Sequence, residues 1–200
     1  MGKEMEWKLA VPEACLLDDI LAWEGVRARM AEEPRFYHMQ SSYYDTPDRR
    51  FSRRRITVRR RLENETPVIC VKAPLPGADD RYLHGEWELE GTDAAAALPK
   101  LVEMGAPEEL LEPVPLVCMW EADFQRRAVL LRFDDGSAAE LALDLGALYG
   151  PTHSLPLCEL ELELKEGEPA ETLALLAALR ERYDLKPQEK SKFARARALD

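Results

Sequence analysis

Charged residues recur at alternate positions in several short stretches of this chain. Glu4, Glu6 and Lys8 alternate with Met5, Trp7 and Leu9, and Glu159, Glu161, Glu163 and Lys165 alternate with Leu160, Leu162 and Leu164. Glu86, Glu88 and Glu90 flank Trp87 and Leu89, while Glu140 and Asp144 oppose Leu141, Leu143 and Leu145. Arg59 and Arg61 share a phase, and Lys72 opposes Ile69 and Val71. Side chains alternate across a strand with period two, so each stretch puts charge on one face and aliphatic bulk on the other. One such strand is an ordinary half-solvated sheet. The set is not, because a solvent face mixes Ser, Thr, Gln and Lys, whereas here whole faces are carboxylate on some strands and cationic on others. So much like charge on one face must be offset by opposite charge or by ligand. Clustered carboxylates bind Mg2+ or Mn2+, and Arg and Lys bind phosphate oxygens. A polyphosphate accompanied by divalent metal uses both.

The elements that must position these residues are legible. Strands are expected over 3–11, 36–45, 56–63, 67–73, 84–91, 121–133, 138–147 and 157–165, with turn signals such as Asp134-Asp135-Gly136 between them. Helices are expected from Pro12 to Met30, with Leu16, Leu17, Ile20, Leu21 and Trp23 on one side, and from Thr92 to Met104, stopped by Gly105. A third runs from Pro169 to Tyr183 with Leu173, Leu176, Leu179 and Tyr183, and Pro47–Arg55 forms a helical turn. The class is α+β. The arrangement that satisfies the charge pattern is an eight-stranded antiparallel β-barrel with its charged faces lining a tunnel and its apolar faces outward beneath the helices.

Two hundred residues suit one domain, spanning 1–200. Charged residues make up 32% of the chain, on the high side of ordinary, which a charged interior would absorb. The formal net charge of −11 argues against a general nucleic-acid or anionic-membrane binder, so neither partner is expected. The runs Arg49-Arg50, Arg53-Arg54-Arg55 and Arg59-Arg60-Arg61 have few aromatics among them, and the first two read as solvated faces rather than an RNA surface. Cys15, Cys70, Cys118 and Cys158 form no Cys-x-x-Cys pair, and read as packing thiols in a reducing cytoplasm. No secretory leader or membrane span is expected.

The ordered motifs resemble the CYTH superfamily, the triphosphate tunnel metalloenzymes. Glu4-Met5-Glu6-Trp7-Lys8 resembles its Glu-x-Glu-x-Lys signature, Tyr43-Tyr44-Asp45-Thr46-Pro47 a strand end, and Val58-Arg59-Arg60-Arg61 and Val71-Lys72-Ala73-Pro74 two basic strands. Glu86-Trp87-Glu88, Phe124-Gln125-Arg126, Glu140 to Asp144, Glu159 to Lys165 and Ser191-Lys192-Phe193 follow in the family's order. The resemblance is nearest the bacterial inorganic triphosphatases, in which a helical polyphosphate-binding domain often follows, so such a domain in a longer parent chain is a possible partner.

The resemblance implies hydrolysis of inorganic triphosphate with Mg2+ or Mn2+ inside the tunnel. Glu4, Glu6, Glu161 and Glu163 would bind metal, with Glu159 and Asp144 as further candidates. Three glutamates in the last strand leave two pairs open. Lys8, Arg59, Arg61, Lys72, Arg126 and Lys192 would hold phosphates. Water attack on the terminal phosphoryl group needs positioning and charge stabilisation, with Glu86 or Glu88 orienting or deprotonating the water and Lys8 stabilising charge. Arg60 and Arg127 depart from the pattern as cations at outward positions, and Arg81 and His84 precede Glu86 without an evident family counterpart. The alternatives are thiamine triphosphatase, a class IV adenylate cyclase, and a polyphosphate-binding module without turnover.

Overall fold

The computed structural model describes residues 5–74 and 84–199. Glu4 and Arg81, both singled out above, lie outside them, as does the side chain of His84. The strands are β1 (Met5–Ala10), β2 (Arg35–Asp45), β3 (Thr57–Glu63), β4 (Thr66–Pro74), β5 (His84–Glu90), β6 (Val117–Arg132), β7 (Ala138–Tyr149), β8 (Ser154–Glu166) and β9 (Lys186–Pro187). They form one sheet in the order β5-β4-β3-β2-β6-β7-β8-β1-β9, and every pairing is antiparallel.

Two expectations are corrected. Among the described residues the strands number nine rather than eight, because β9 adds two residues to the free edge of β1 through Leu9 and Ala10. The sheet also does not close by hydrogen bonds among the described residues: β5 and β9 are its two edges. It curls around a cavity without completing the ring.

The turns follow from backbone chemistry. β3 and β4 form a hairpin across Asn64 and Glu65, both at positive φ (45° and 76°), as a two-residue turn matched to strand twist requires. β6 and β7 meet at Gly136, whose φ of 85° suits glycine. On β7, a Cβ at Gly146 would stand 2.2 Å from the Asp123 carbonyl oxygen, so the close approach of β6 admits only glycine there.

The aliphatic face of the sheet points away from the cavity. Leu9, Val129, Leu131, Leu141, Leu143, Leu160 and Leu162 are buried against helices α1 (Leu16–Ala22), α2 (Glu24–Arg27) and α5 (Ala170–Tyr183). Val58, Ile69 and Val71 are buried against α4 (Ala94–Glu103), which Asp93 caps by accepting from the Ala96 amide. The expected helix over 12–30 is two shorter ones, because Trp23 breaks it with extended backbone, ψ 132°. On α5 the buried face is Thr172, Leu175, Leu176 and Leu179, whereas Leu173 faces solvent. A short α3 (Arg50–Arg53) occupies the expected 47–55 turn.

A further helix, α6 (Lys192–Arg197), was not expected. It packs inside the sheet's curl, with Lys192 and Phe193 lining the cavity. Phe193, Ala196 and Leu199 join Met39, Tyr43, Trp120, Ala122, Phe124, Leu148 and Leu157 in an apolar cluster on the inner face. The interior is therefore not charged throughout: one end is plugged by apolar packing. Arg197 donates to the Ser52 carbonyl at 3.4 Å, tying the plug to the segment after β2.

Candidate active site

The concave face encloses a cavity of about 440 Å3. Its charged lining is Glu6, Glu63, Glu86, Glu88, Glu140, Glu161 and Glu163 against Lys8, Arg59, Arg61, Lys72, Arg126, Lys165 and Lys192. Among the described residues seven acids meet seven bases, so this lining is formally balanced in a chain of net charge −11. The period-two pattern accounts for this assembly: register pairs such as Lys8 with Glu161 and Lys72 with Glu86 put each of these side chains on the same concave surface.

One wall is locked. Arg126 forks onto Asp144 through Nε at 2.8 Å and Nη2 at 2.7 Å, and also contacts Glu161. Lys192 reaches Asp144 and Glu161 at 2.8 Å each, and contacts Glu159, which Arg195 also contacts. Asp144 and Glu159 have 0% exposure and sit behind the cavity surface. Oxygens of Asp144, Glu159 and Glu161 lie within 4.8 Å of one another, a spacing suited to a cation, and the Lys192 ammonium contacts all three. Burial opposes ionisation of Glu161, but Lys192, Arg126 and Lys8 outweigh it and hold the carboxyl well below its usual range. The same carboxylates carry Lys192 and Arg126 above theirs, against the opposing effect of burial.

Beside this wall runs a row of carboxylates. Glu6 on β1 faces Glu163 on β8, which faces Glu140 on β7. Like charges directly opposite one another destabilise a sheet. Lys8 contacts Glu6, Lys165 reaches Glu163 at 2.7 Å, and Arg35 reaches Glu140 at 3.0 Å. Burial, and then the nearby Glu161 carboxylate, still raise the Glu6 carboxyl above its ordinary value despite Lys8.

The opposite arm, β3 to β5, pairs its charges more loosely. Arg59 stands 3.9 Å from Glu86, Arg61 2.9 Å from Glu63 and 3.5 Å from Glu88, and Lys72 2.9 Å from Glu86. The Arg59 Nε is buried without a hydrogen-bond partner. Glu86 is held below the usual range, since the Cys70 thiol, Lys72 and Arg59 outweigh its burial. The Cys70 Sγ donates to Glu86 at 2.9 Å, and burial pushes this thiol up to about 12, so it stays protonated.

The structure thus gathers Glu6, Lys8, Arg59, Arg61, Lys72, Glu86, Glu88, Arg126, Glu161, Glu163 and Lys192 around one cavity. Arg60 and Arg127 lie on the opposite face of their strands, where Arg127 holds Asp18 of α1. The sequence reading missed Cys70, Tyr43 and Arg195. Cys70 shares the phase of Lys72 and was findable; Arg195 acts from a helix visible only in three dimensions.

The sequence matches the CYTH domain family over residues 2–196. The inorganic triphosphatase of Haemophilus influenzae is 25% identical over 127 residues, 64% of this chain and 36% of that protein, so the match spans about a third of the relative's length. A candidate adenylyl cyclase from Hippeastrum with a dominant triphosphatase activity superposes with a TM-score of 0.59 at 19% identity, covering 98% of this chain and 96% of that one. A candidate adenylate cyclase from Bacillus halodurans gives a TM-score of 0.54 at 15% identity, covering 95% and 96%. At those identities the solved structures establish the fold alone.

Proposed function

The chain belongs to the CYTH domain family, and from that premise we propose that it hydrolyses inorganic tripolyphosphate to pyrophosphate and orthophosphate with Mg2+ or Mn2+. The observation that carries this reading is the balanced lining of seven carboxylates and seven cations, counted among the described residues, within an acidic chain. Cations alone would suit a free anion, and carboxylates alone a metal. The mixture suits a metal–polyphosphate complex.

The donor set fits a hard divalent ion. Glu6, Glu140 and Glu163 stand abreast, and burial, followed by the neighbouring Glu161 carboxylate, raises the Glu6 carboxyl. Glu6, Glu161 and Glu163 would hold the ion, with Glu4 as a further ligand. Asp144 and Glu159, buried against Lys192 and Arg195, would anchor those cations instead. The bound ion supplies neutralisation of charge on the transferring phosphoryl group.

The chain's own residues do the rest. Arg59, Arg61 and Lys72 bind the equatorial and leaving oxygens from one arm, while Lys8, Arg126 and Lys192 border the other side. Glu86, ionised at neutral pH, orients the attacking water, with Glu88 next to it on the same face. Tyr43 and Phe193, two of the described aromatics that line the cavity, meet with tilted rings at 5.1 Å, and Phe193 meets the buried Trp120 edge-on at 5.5 Å, so both are taken up by apolar packing. That favours an inorganic substrate.

The test is phosphate release from tripolyphosphate, thiamine triphosphate and ATP, each with Mg2+, with Mn2+ and with a chelator. Metal-dependent release that is fastest from tripolyphosphate is expected. Cyclic AMP from ATP would instead make the chain a cyclase, and tight binding without turnover in either metal would make it a binding module.

A further inference from the structure

Cys70 has no role in the chemistry above, yet its thiol faces the cavity rather than the apolar core. Its strand neighbours Ile69 and Val71 are buried against α4. Cys70 lies on the other phase of β4 with Lys72 and, at 1% exposure, forms part of the cavity wall. In register it stands opposite Glu88 of β5, and Lys72 stands opposite Glu86. The thiol passes over its direct partner. Its Sγ donates to Oε1 of Glu86 at 2.9 Å, while Arg61 Nη2 reaches Glu88 at 3.5 Å.

The two oxygens of Glu86 are therefore held by different groups. Lys72 reaches Oε2 at 2.9 Å and the thiol holds Oε1, with Arg59 standing off at 3.9 Å. A carboxylate offers about four lone-pair positions, so the two contacts fix its plane and leave positions for a water. The two donors differ in kind. Lys72 brings a full positive charge. The thiol is uncharged, so it sets the direction of the carboxylate without placing a second full charge on it. Burial keeps Cys70 in this protonated, donating form at neutral pH.

We infer that Cys70 is a positioning residue: its thiol hydrogen bond fixes the carboxylate of Glu86, rather than that of Glu88, in the orientation that receives the attacking water. This rests on the triphosphatase reading for the water, but not for the contact itself. Cys70→Ala removes the donor and Cys70→Ser keeps one. Both shrink the side chain, so a packing role alone would lower Tm and leave the two kcat values equal. Cys70→Ala is expected to lower kcat for tripolyphosphate about three- to tenfold, the scale of one hydrogen bond, with KM close to the parent. Cys70→Ser is expected to recover most of that loss. Equal kcat values in the two variants overturn the inference, and so does a change confined to KM.

A measurement without substrate separates this inference from the function. The S–H stretch of Cys70 is read by infrared difference spectroscopy against Cys70→Ser, in the parent and again in a Glu86→Ala background. It is expected at a lower frequency in the parent, because donating a hydrogen bond weakens the S–H bond. The same frequency in both backgrounds overturns the inference, whatever the chain hydrolyses. The expected shift in a chain that hydrolyses no triphosphate leaves Cys70 as the residue that holds Glu86 and refutes the triphosphatase reading alone.

Discussion

The two walls of the cavity use the same side-chain chemistry to opposite ends. On the β6–β8 wall, Arg126, Lys192 and Arg195 are matched to Asp144, Glu159 and Glu161, two of them with no exposure at all. On the β3–β5 arm, Arg59 and Arg61 face carboxylates of β5 at 3.9 and 3.5 Å, while Lys72 reaches Glu86 and Arg61 reaches Glu63 at 2.9 Å. Burying a charge is costly unless it is paired, so the first wall must be neutralised within the protein. In the second, Arg59 and Arg61 meet the carboxylates of β5 only at 3.9 and 3.5 Å. Cations of the locked wall hold the plug helix; those of the looser arm are the ones a substrate can still recruit.

The largest expected effect would come from breaking the locked wall. Arg126→Ala leaves Asp144 buried beside fewer cations, and is expected to cost about 3–5 kcal/mol, read by chemical denaturation. Arg59→Ala should do the reverse: a small change in unfolding but a loss of kcat/KM of about 10²–10³ with tripolyphosphate. Equal stability losses in the two variants would erase the distinction between the walls.

The carboxylate row sharpens the comparison. Glu6→Gln is expected to abolish metal-dependent phosphate release while leaving the fold intact, and full activity would refute its place among the metal ligands. The same variant has a predictable pH signature. Because folding raises the Glu6 carboxyl, its ionised form weakens the metal-free protein, and that penalty grows as pH rises through the carboxylate range. Metal-free Glu6→Gln should therefore melt higher than the parent at neutral pH, with the difference vanishing in acid.

Glu161 carries the opposite sign. Its carboxyl is held below the ordinary value, so its contribution to stability is present above the usual carboxylate range and is lost as pH falls through its lowered one. Glu161→Gln should melt lower than the parent at neutral pH, with the gap closing at strongly acid pH. Melting curves across pH for the two variants would display the contrast in one experiment.

What the sequence by itself determined was the facing of the strands. Glu161 and Leu162 must point to opposite sides of any strand that contains both, because alternation is a property of the local backbone. The strand phases therefore set Lys8, Arg59, Lys72, Glu86 and Glu161 each on the face opposite the aliphatic residues of its own strand, and the apolar phase of β8 marked the seat of the helices. Only the tertiary structure decided that β9 joins β1, that β5 is an edge among the described residues, and that α6 fills one end of the interior. It also decided which cations are matched and which are not. Those outcomes depend on contacts between residues far apart in the chain, such as Lys192 with Asp144 or Tyr43 with Phe193. The energy of such a contact is set by burial and separation in space, and neither is written in residue type or spacing.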